Sequence, residues 1–219
     1  MCPEKNPEGD VNASGIKLPV QNNYEIAYKE AKDAFLKKNK SDIYNATGAK
    51  PDGDNRILLP FLNKEIVITL PDVIISYTNN AEVELWLKII LLHYLSSYEK
   101  IPFSGDQITY KQISGGLSYY PVFQKRCITP IISLFNGHYE KFIKAAEIIG
   151  GVRTDENKYS VSFQVFPHVR ITYNIWEGDE ELPADGNVAF DSSITGYLPS
   201  EDITVLCNMI TVMIIKTKL

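Results

Sequence analysis

The run LWLKIILLHYL, Leu85–Leu95, constrains the fold of this chain more than any other stretch. Only Lys88 and His93 interrupt it, so a helix there carries apolar side chains on nearly every face. It is shorter than the ~20 residues that cross a bilayer, as is a second apolar run at Ile203–Ile215. Such a helix persists only in an interior, with other elements covering it. Asn79 and Glu82 have the spacing of a capping box, and Lys100 suits the far end, so the expected helix covers Glu82–Tyr98.

The cover is legible downstream. Val161, Phe163 and Val165 alternate with Ser160, Ser162 and Gln164; Val169, Ile171, Tyr173 and Ile175 alternate with Arg170, Thr172 and Asn174. Period two over both stretches predicts a pair of antiparallel strands, each with one apolar and one polar face, joined around Pro167. Arg56–Phe61, Glu65–Leu70 and Val73–Tyr77 are shorter strand candidates. Helical spacing covers Tyr24–Lys38, about Phe123–Phe135 with a bend at Pro130, and His138–Ile149 before Gly150-Gly151. A last helix opens at Pro199 and reaches about Lys216, with Glu201 and Asp202 at its positive end. The expected class is α+β: a small antiparallel sheet packed against several helices, in one domain over residues 21–219 after a flexible arm at 1–20.

A chain of 219 residues that is 44% apolar can bury one sizeable core. Its net charge of −5, with no dense cluster of Lys and Arg, argues against nucleic acid as a partner. The densest basic stretch, Lys37–Lys40, reads as a solvated helix end. Cys2, Cys127 and Cys207 are scattered and form no CxxC pair, so no Cys-rich metal or cluster site is encoded here. The start, MCPEKNPEGDVNASG, has no apolar signal region, and a cytoplasmic, reducing location with no membrane association is expected.

Several landmarks occur in a recognisable order: LLHYL (Leu91–Leu95), GGLSYYPVFQKR (Gly115–Arg126), AAEIIGG (Ala145–Gly151), FPHV (Phe166–Val169), WEGDEELPA (Trp176–Ala184), FD (Phe190-Asp191) and YLPSED (Tyr197–Asp202). With these the chain resembles a family of bacterial and archaeal soluble proteins known only as a domain of unknown function, over roughly residues 24–215. Many members of that family occur in anaerobes, and some longer relatives add an N-terminal Cys-rich segment of iron–sulfur type. This chain lacks such a segment, because Cys2 alone cannot hold a cluster. The resemblance implies an association with corrinoid or one-carbon metabolism and no particular reaction.

Three groups of residues carry candidate chemistry. On the apolar helix, Trp86, His93 and Ser97 fall along one face. A neutral imidazole flanked by an aromatic ring can be the axial ligand of a corrinoid, a haem or another tetrapyrrole; the alternative is a core histidine satisfied by a carbonyl or carboxylate. His168, at the strand junction, and His138, at a helix start, read as exposed. In the Gly/Tyr stretch, Gly115 and Gly116 let a ligand approach the backbone, Tyr119 and Tyr120 offer stacking faces, and Arg126 can clamp a carboxylate. A structural loop with packed tyrosines is the alternative.

The third group is Glu177, Asp179, Glu180 and Glu181, which Asp185, Asp191, Glu201 and Asp202 could join on folding. Held close, such carboxylates raise one another's pKa or recruit a hard cation; Asp179, Glu180, Glu181 and Asp191 are the metal candidates. They equally suit a solvated strand exit that discourages edge pairing. The leading functional expectation is a ligand- or cofactor-binding protein, with a corrinoid or other tetrapyrrole as ligand. The alternative is a metal-assisted or acid–base enzyme built on Glu177–Glu181, and an accessory protein acting through an exposed apolar patch is the third. No GxGxxG, Walker or GxSxG pattern is present, and Cys127 reads as a buried thiol.

Overall fold

A computed structural model describes residues 21–96 and 103–217. The chain begins with helices α1 (Gln21–Leu36) and α2 (Lys40–Thr47). Strands β1 (Lys50–Asp52), β2 (Arg56–Phe61), β3 (Lys64–Thr69) and β4 (Ile74–Tyr77) follow as an antiparallel meander in that order, and then comes α3 (Leu85–Ser96). The second half comprises β5 (Gln107–Thr109), α4 (Gly116–Cys127), α5 (Thr129–Phe135), α6 (Tyr139–Ile148), β6 (Val152–Arg153), β7 (Tyr159–Phe166), β8 (Val169–Trp176), β9 (Asp185–Asp191) and α7 (Ser200–Lys216). Its strands form a separate antiparallel sheet ordered β5-β9-β8-β7-β6.

The α+β class follows from the sequence patterns, and α3 is the interior spine they require. From Trp86 to Ser96 every residue is buried except Lys88 and His93. Helix α1 covers one side with a stripe of helical spacing: Ala31 and Phe35 are buried, and Tyr24, Ala27 and Tyr28 half-buried. The Tyr28 hydroxyl donates to the Val73 carbonyl and Lys32 to the Asp72 carbonyl, which ties α1 to the turn before β4.

In the larger sheet the inner residues of β7 and β8 (Val161, Phe163, Val165, Ile171 and Tyr173) are fully buried. Val161 pairs with Tyr173, and Phe163 with Ile171. Against this face lies α7, whose Cys207 carbonyl accepts from the Tyr173 hydroxyl at 2.6 Å, while Thr211 donates to the Cys127 carbonyl at the end of α4. The two sheets meet where the Leu62 amide donates to the Val165 carbonyl and the Phe61 ring packs on Phe166, 5.5 Å between centroids. No helix among the described residues is long and apolar enough to cross a membrane.

Four expectations are corrected. The strands sort into two sheets rather than one, with β1, β5, β6 and β9 among the additions. The capping box at Asn79 and Glu82 does not form: Asn79 accepts from the Ala81 amide, Glu82 bridges to Ser76, and the helix starts at Leu85. Local turn bonding outcompetes the cap there. The Gly/Tyr stretch is helical rather than a loop, because α4 runs through Tyr119, Tyr120 and Pro121. Pro121 is exposed, so water can reach the carbonyl its missing N–H leaves unbonded. The bend expected at Pro130 is a break at Ile128, two residues earlier: α4 ends at Cys127, and Pro130 sits in the first turn of α5, where its ring is tolerated. The arm at 1–20, with Cys2, and the Ser97, Tyr98 and Lys100 positions lie outside the described residues.

Candidate functional site

The half-buried positions of α3, Leu85, Lys88 and His93, mark where the interior helix reaches the surface. Its Nδ1 lies 2.7 Å from Oδ2 of Asp202 in the first turn of α7, a pair separated by 109 residues in sequence. Asp202 keeps 9% of its side-chain surface and His93 31%, so the carboxylate faces inward and the imidazole spans inside and outside. An acid in the first turn of a helix is favoured by the helix dipole, and Asp202 stands in the first turn of α7. The Asp202 hydrogen bond raises the His93 pKa above its usual value; burial works the other way, and the charges of Asp202 and Glu201 add to the rise.

In the neutral ring a carboxylate at Nδ1 selects the tautomer with its hydrogen there, which leaves the lone pair on Nε2. Among the described residues Nε2 has no protein partner. The nitrogen is therefore free to accept a proton or to donate to a metal. Burial raises the pKa of Tyr24 in α1, and the charge of Glu201, next to Asp202 on α7, adds to the rise.

The frame behind His93 is stiff. Tyr94, the next residue, stacks on Phe166 at 4.4 Å and packs on Tyr197 at 5.6 Å. Its hydroxyl donates to the Thr47 carbonyl at 2.7 Å and accepts from the His168 amide at 3.2 Å. One buried side chain thus pins α3 to α2 and to the β7–β8 turn. His168, expected to be exposed, is half-buried and stacks on Tyr197.

Trp86 lies on the same stripe of α3, about two turns before His93. It is 5% exposed, and its indole Nε1–H is buried with no hydrogen-bond partner among the described residues. A buried donor without a partner costs on the order of 1–3 kcal/mol.

The Gly/Tyr group is not brought to His93. Gly115 (φ 74°) starts α4, and Gly116 is packed so closely on the Tyr110 carbonyl that a Cβ there would lie 1.8 Å from the oxygen. These glycines serve helix packing. Tyr110 stacks on Phe123 of α4 and accepts from the Thr204 hydroxyl of α7. Asp202 and Thr204 are two positions apart, hence on nearly opposite sides of α7. That helix stands between His93 and α4, so Tyr119, Tyr120 and Arg126 face elsewhere. Arg126 donates to the Tyr119 hydroxyl on the exposed side of α4.

Nor do the acids converge. Asp179 accepts from the amides of Leu182 and Glu181, which lowers its pKa and closes a turn. Glu177 pairs with Lys158, and Glu180 and Glu181 are exposed. Asp191 is buried at the end of β9. Burial would raise its pKa, but bonds from the Ser193 hydroxyl and amide and from the Ser104 and Gly105 amides outweigh this and hold it low. Among the described residues no three His, Cys, Asp or Glu side chains form a group able to hold a metal ion. Asp202 is the residue of the site that sequence reasoning misplaced, since it was grouped with the acids of Trp176–Ala184 rather than with His93. Its position in the first turn of α7 was legible, its partner was not.

A family model described as a domain of unknown function (DUF3786) matches residues 39–213. No curated protein and no solved structure matches the chain.

Proposed function

The chain belongs to the DUF3786 family, and we propose that it is a ligand-binding protein whose ligand meets Nε2 of His93. The observation that carries this reading is the 2.7 Å bond from Nδ1 to Asp202. Histidines that ligate metals are held through their other ring nitrogen by a carboxylate or carbonyl, which fixes the ring and raises its basicity. One imidazole cannot hold a free ion well, so a metal fitting this position arrives with its other ligands already in place. A corrinoid, a haem or another metal-bearing tetrapyrrole has that form.

The test is spectroscopic. Titrating the purified protein with haem and with cobalamin should shift the visible bands of one of them and give a complex that co-elutes. His93→Ala should abolish the shift, and Asp202→Asn should weaken binding by about 10–100-fold. Unchanged spectra with both ligands, and no co-elution, would reject the reading.

A further inference from the structure

The outer face of the larger sheet holds a second feature, unrelated to His93. Alternation leaves its β8 residues polar, and the sheet order sets them beside polar residues of other strands. Asn174 is directly opposite Asn187 of β9 on one side and Ser160 of β7 on the other. Across this face runs a groove of about 420 Å³, within the roughly 300–1,000 Å³ typical of small-molecule sites. Gln107, Asn174 and Asn187 form its floor, Glu156 and Asn157 of the β6–β7 turn one wall, and Trp176 its end. A smaller groove of about 120 Å³ adjoins it, sharing Gln107 and Glu156 and reaching Arg170 and Phe103.

The side chains are held in place. Gln107 donates to Glu156 Oε1 at 2.7 Å, and the Asn174 amide is shared between Glu156 Oε2 and Asn187 Oδ1. The Ser160 hydroxyl donates to the Asn174 oxygen and accepts in turn from Thr154. Two groups remain unsatisfied or out of place. The Asn157 Nδ2 is buried with no partner among the described residues, although its oxygen already accepts from the Tyr159 amide. Trp176, at the exit of β8, is 45% exposed, an aromatic face left to solvent beside a polar floor.

We infer that this groove binds a saccharide unit. A sugar ring has an apolar face of C–H groups that packs on an aromatic ring, and hydroxyls that donate and accept at once. The groove supplies both: the exposed Trp176 ring, carboxylate oxygens of Glu156 as acceptors, and the side-chain amide of Asn187 as a donor. Among the described residues no Lys or Arg lines the larger groove, and the Glu156 carboxylate there repels phosphate. Arg170, in the adjoining groove beside Glu156 and Asp191, adds a guanidinium donor for a sugar hydroxyl.

The chain has two tryptophans, of which Trp86 is buried, so the emission of Trp176 reports on the groove. The intact protein is titrated with glucose, galactose, mannose, N-acetylglucosamine, glucuronate and galacturonate, and with cellobiose and lactose. Adenosine and cytidine are the comparison, because a nucleobase also stacks and pairs with amides. The expected result is a saturable change with at least one sugar, and an affinity, read by calorimetry because the reporter is lost, that is weakened about tenfold or more in Trp176→Ala with an unchanged melting curve. Asn187→Ala, read by calorimetry, gives a second and independent loss should Trp176→Ala fold poorly. No saturable response to any sugar up to about 10 mM overturns the inference, as does binding of a nucleoside without any sugar, or sugar binding that neither substitution weakens.

Discussion

The junction of α3 with α7 and the acidic stretch at Glu177–Glu181 both concentrate ionisable groups, yet they differ in every physical respect. At the junction one imidazole and one carboxylate, distant in sequence, meet at 2.7 Å in a half-buried setting held by a buried tyrosine. In the acidic stretch four carboxylates are neighbours in sequence and point into solvent, into a turn or towards Lys158. Charge density along a chain is therefore a poor guide to a site. What matters is whether packing forces the groups to share a low-dielectric space, where their interaction is strong and costly to undo.

The comparison breaks first if the junction lacks a rigid frame. Tyr94→Ala removes a fully buried ring and should destabilise the protein by about 3–5 kcal/mol in urea unfolding. Tyr94→Phe, which keeps the ring and leaves the Thr47 carbonyl and the His168 amide without their partner, should cost about 1–3 kcal/mol. Losses near zero in both would show that nothing holds His93 in place.

The next effect depends on pH. The His93 pKa in the folded protein is raised above the usual value of about 6.5 that the unfolded chain keeps. Its contribution to stability is thus fully present below about pH 6.5 and is lost as pH rises through the folded value. His93→Gln should therefore narrow the gap in urea midpoint from wild type on going from pH 5.5 to pH 9. In Asp202→Asn the imidazole pKa, followed by NMR, should fall, because burial then acts with little to oppose it. A gap that widens at alkaline pH would reverse the assigned sign.

The smallest effects belong to the acidic stretch. Glu180→Gln and Glu181→Gln should change stability by no more than about 0.5 kcal/mol, the usual range for exposed positions. Millimolar Ca²⁺ or Mg²⁺ that raised the melting temperature of the wild type, and not of these variants, would make the stretch a site after all and erase the contrast.

How much was legible in advance depends on the range of the interaction. The alternation of Val161, Phe163, Ile171 and Tyr173 was readable, because period two reports which face each side chain takes and Pro167 sets the turn; the bulge between Gln164 and Phe166 was not. The interior place of α3 was readable from its lack of a polar face. The division into two sheets was not, since β1, β5 and β6 are two or three residues long and exist only through their partners. His93 stood out as a lone titratable group in an apolar run, while Gly116 misled: a glycine packed on the Tyr110 carbonyl looks, in sequence, like a glycine that admits a ligand.

What the sequence alone determined is the class of fold, the interior role of Leu85–Leu95 and the two faces of the β7–β8 pair, all of them consequences of local periodicity and solvent. Tertiary structure alone decided that Asp202 turns to His93 rather than to the other acids, and that Gln107, Glu156, Asn174 and Asn187 share one groove. Those contacts join residues far apart along the chain, so their energy depends on strand order and helix crossing, which no local pattern encodes.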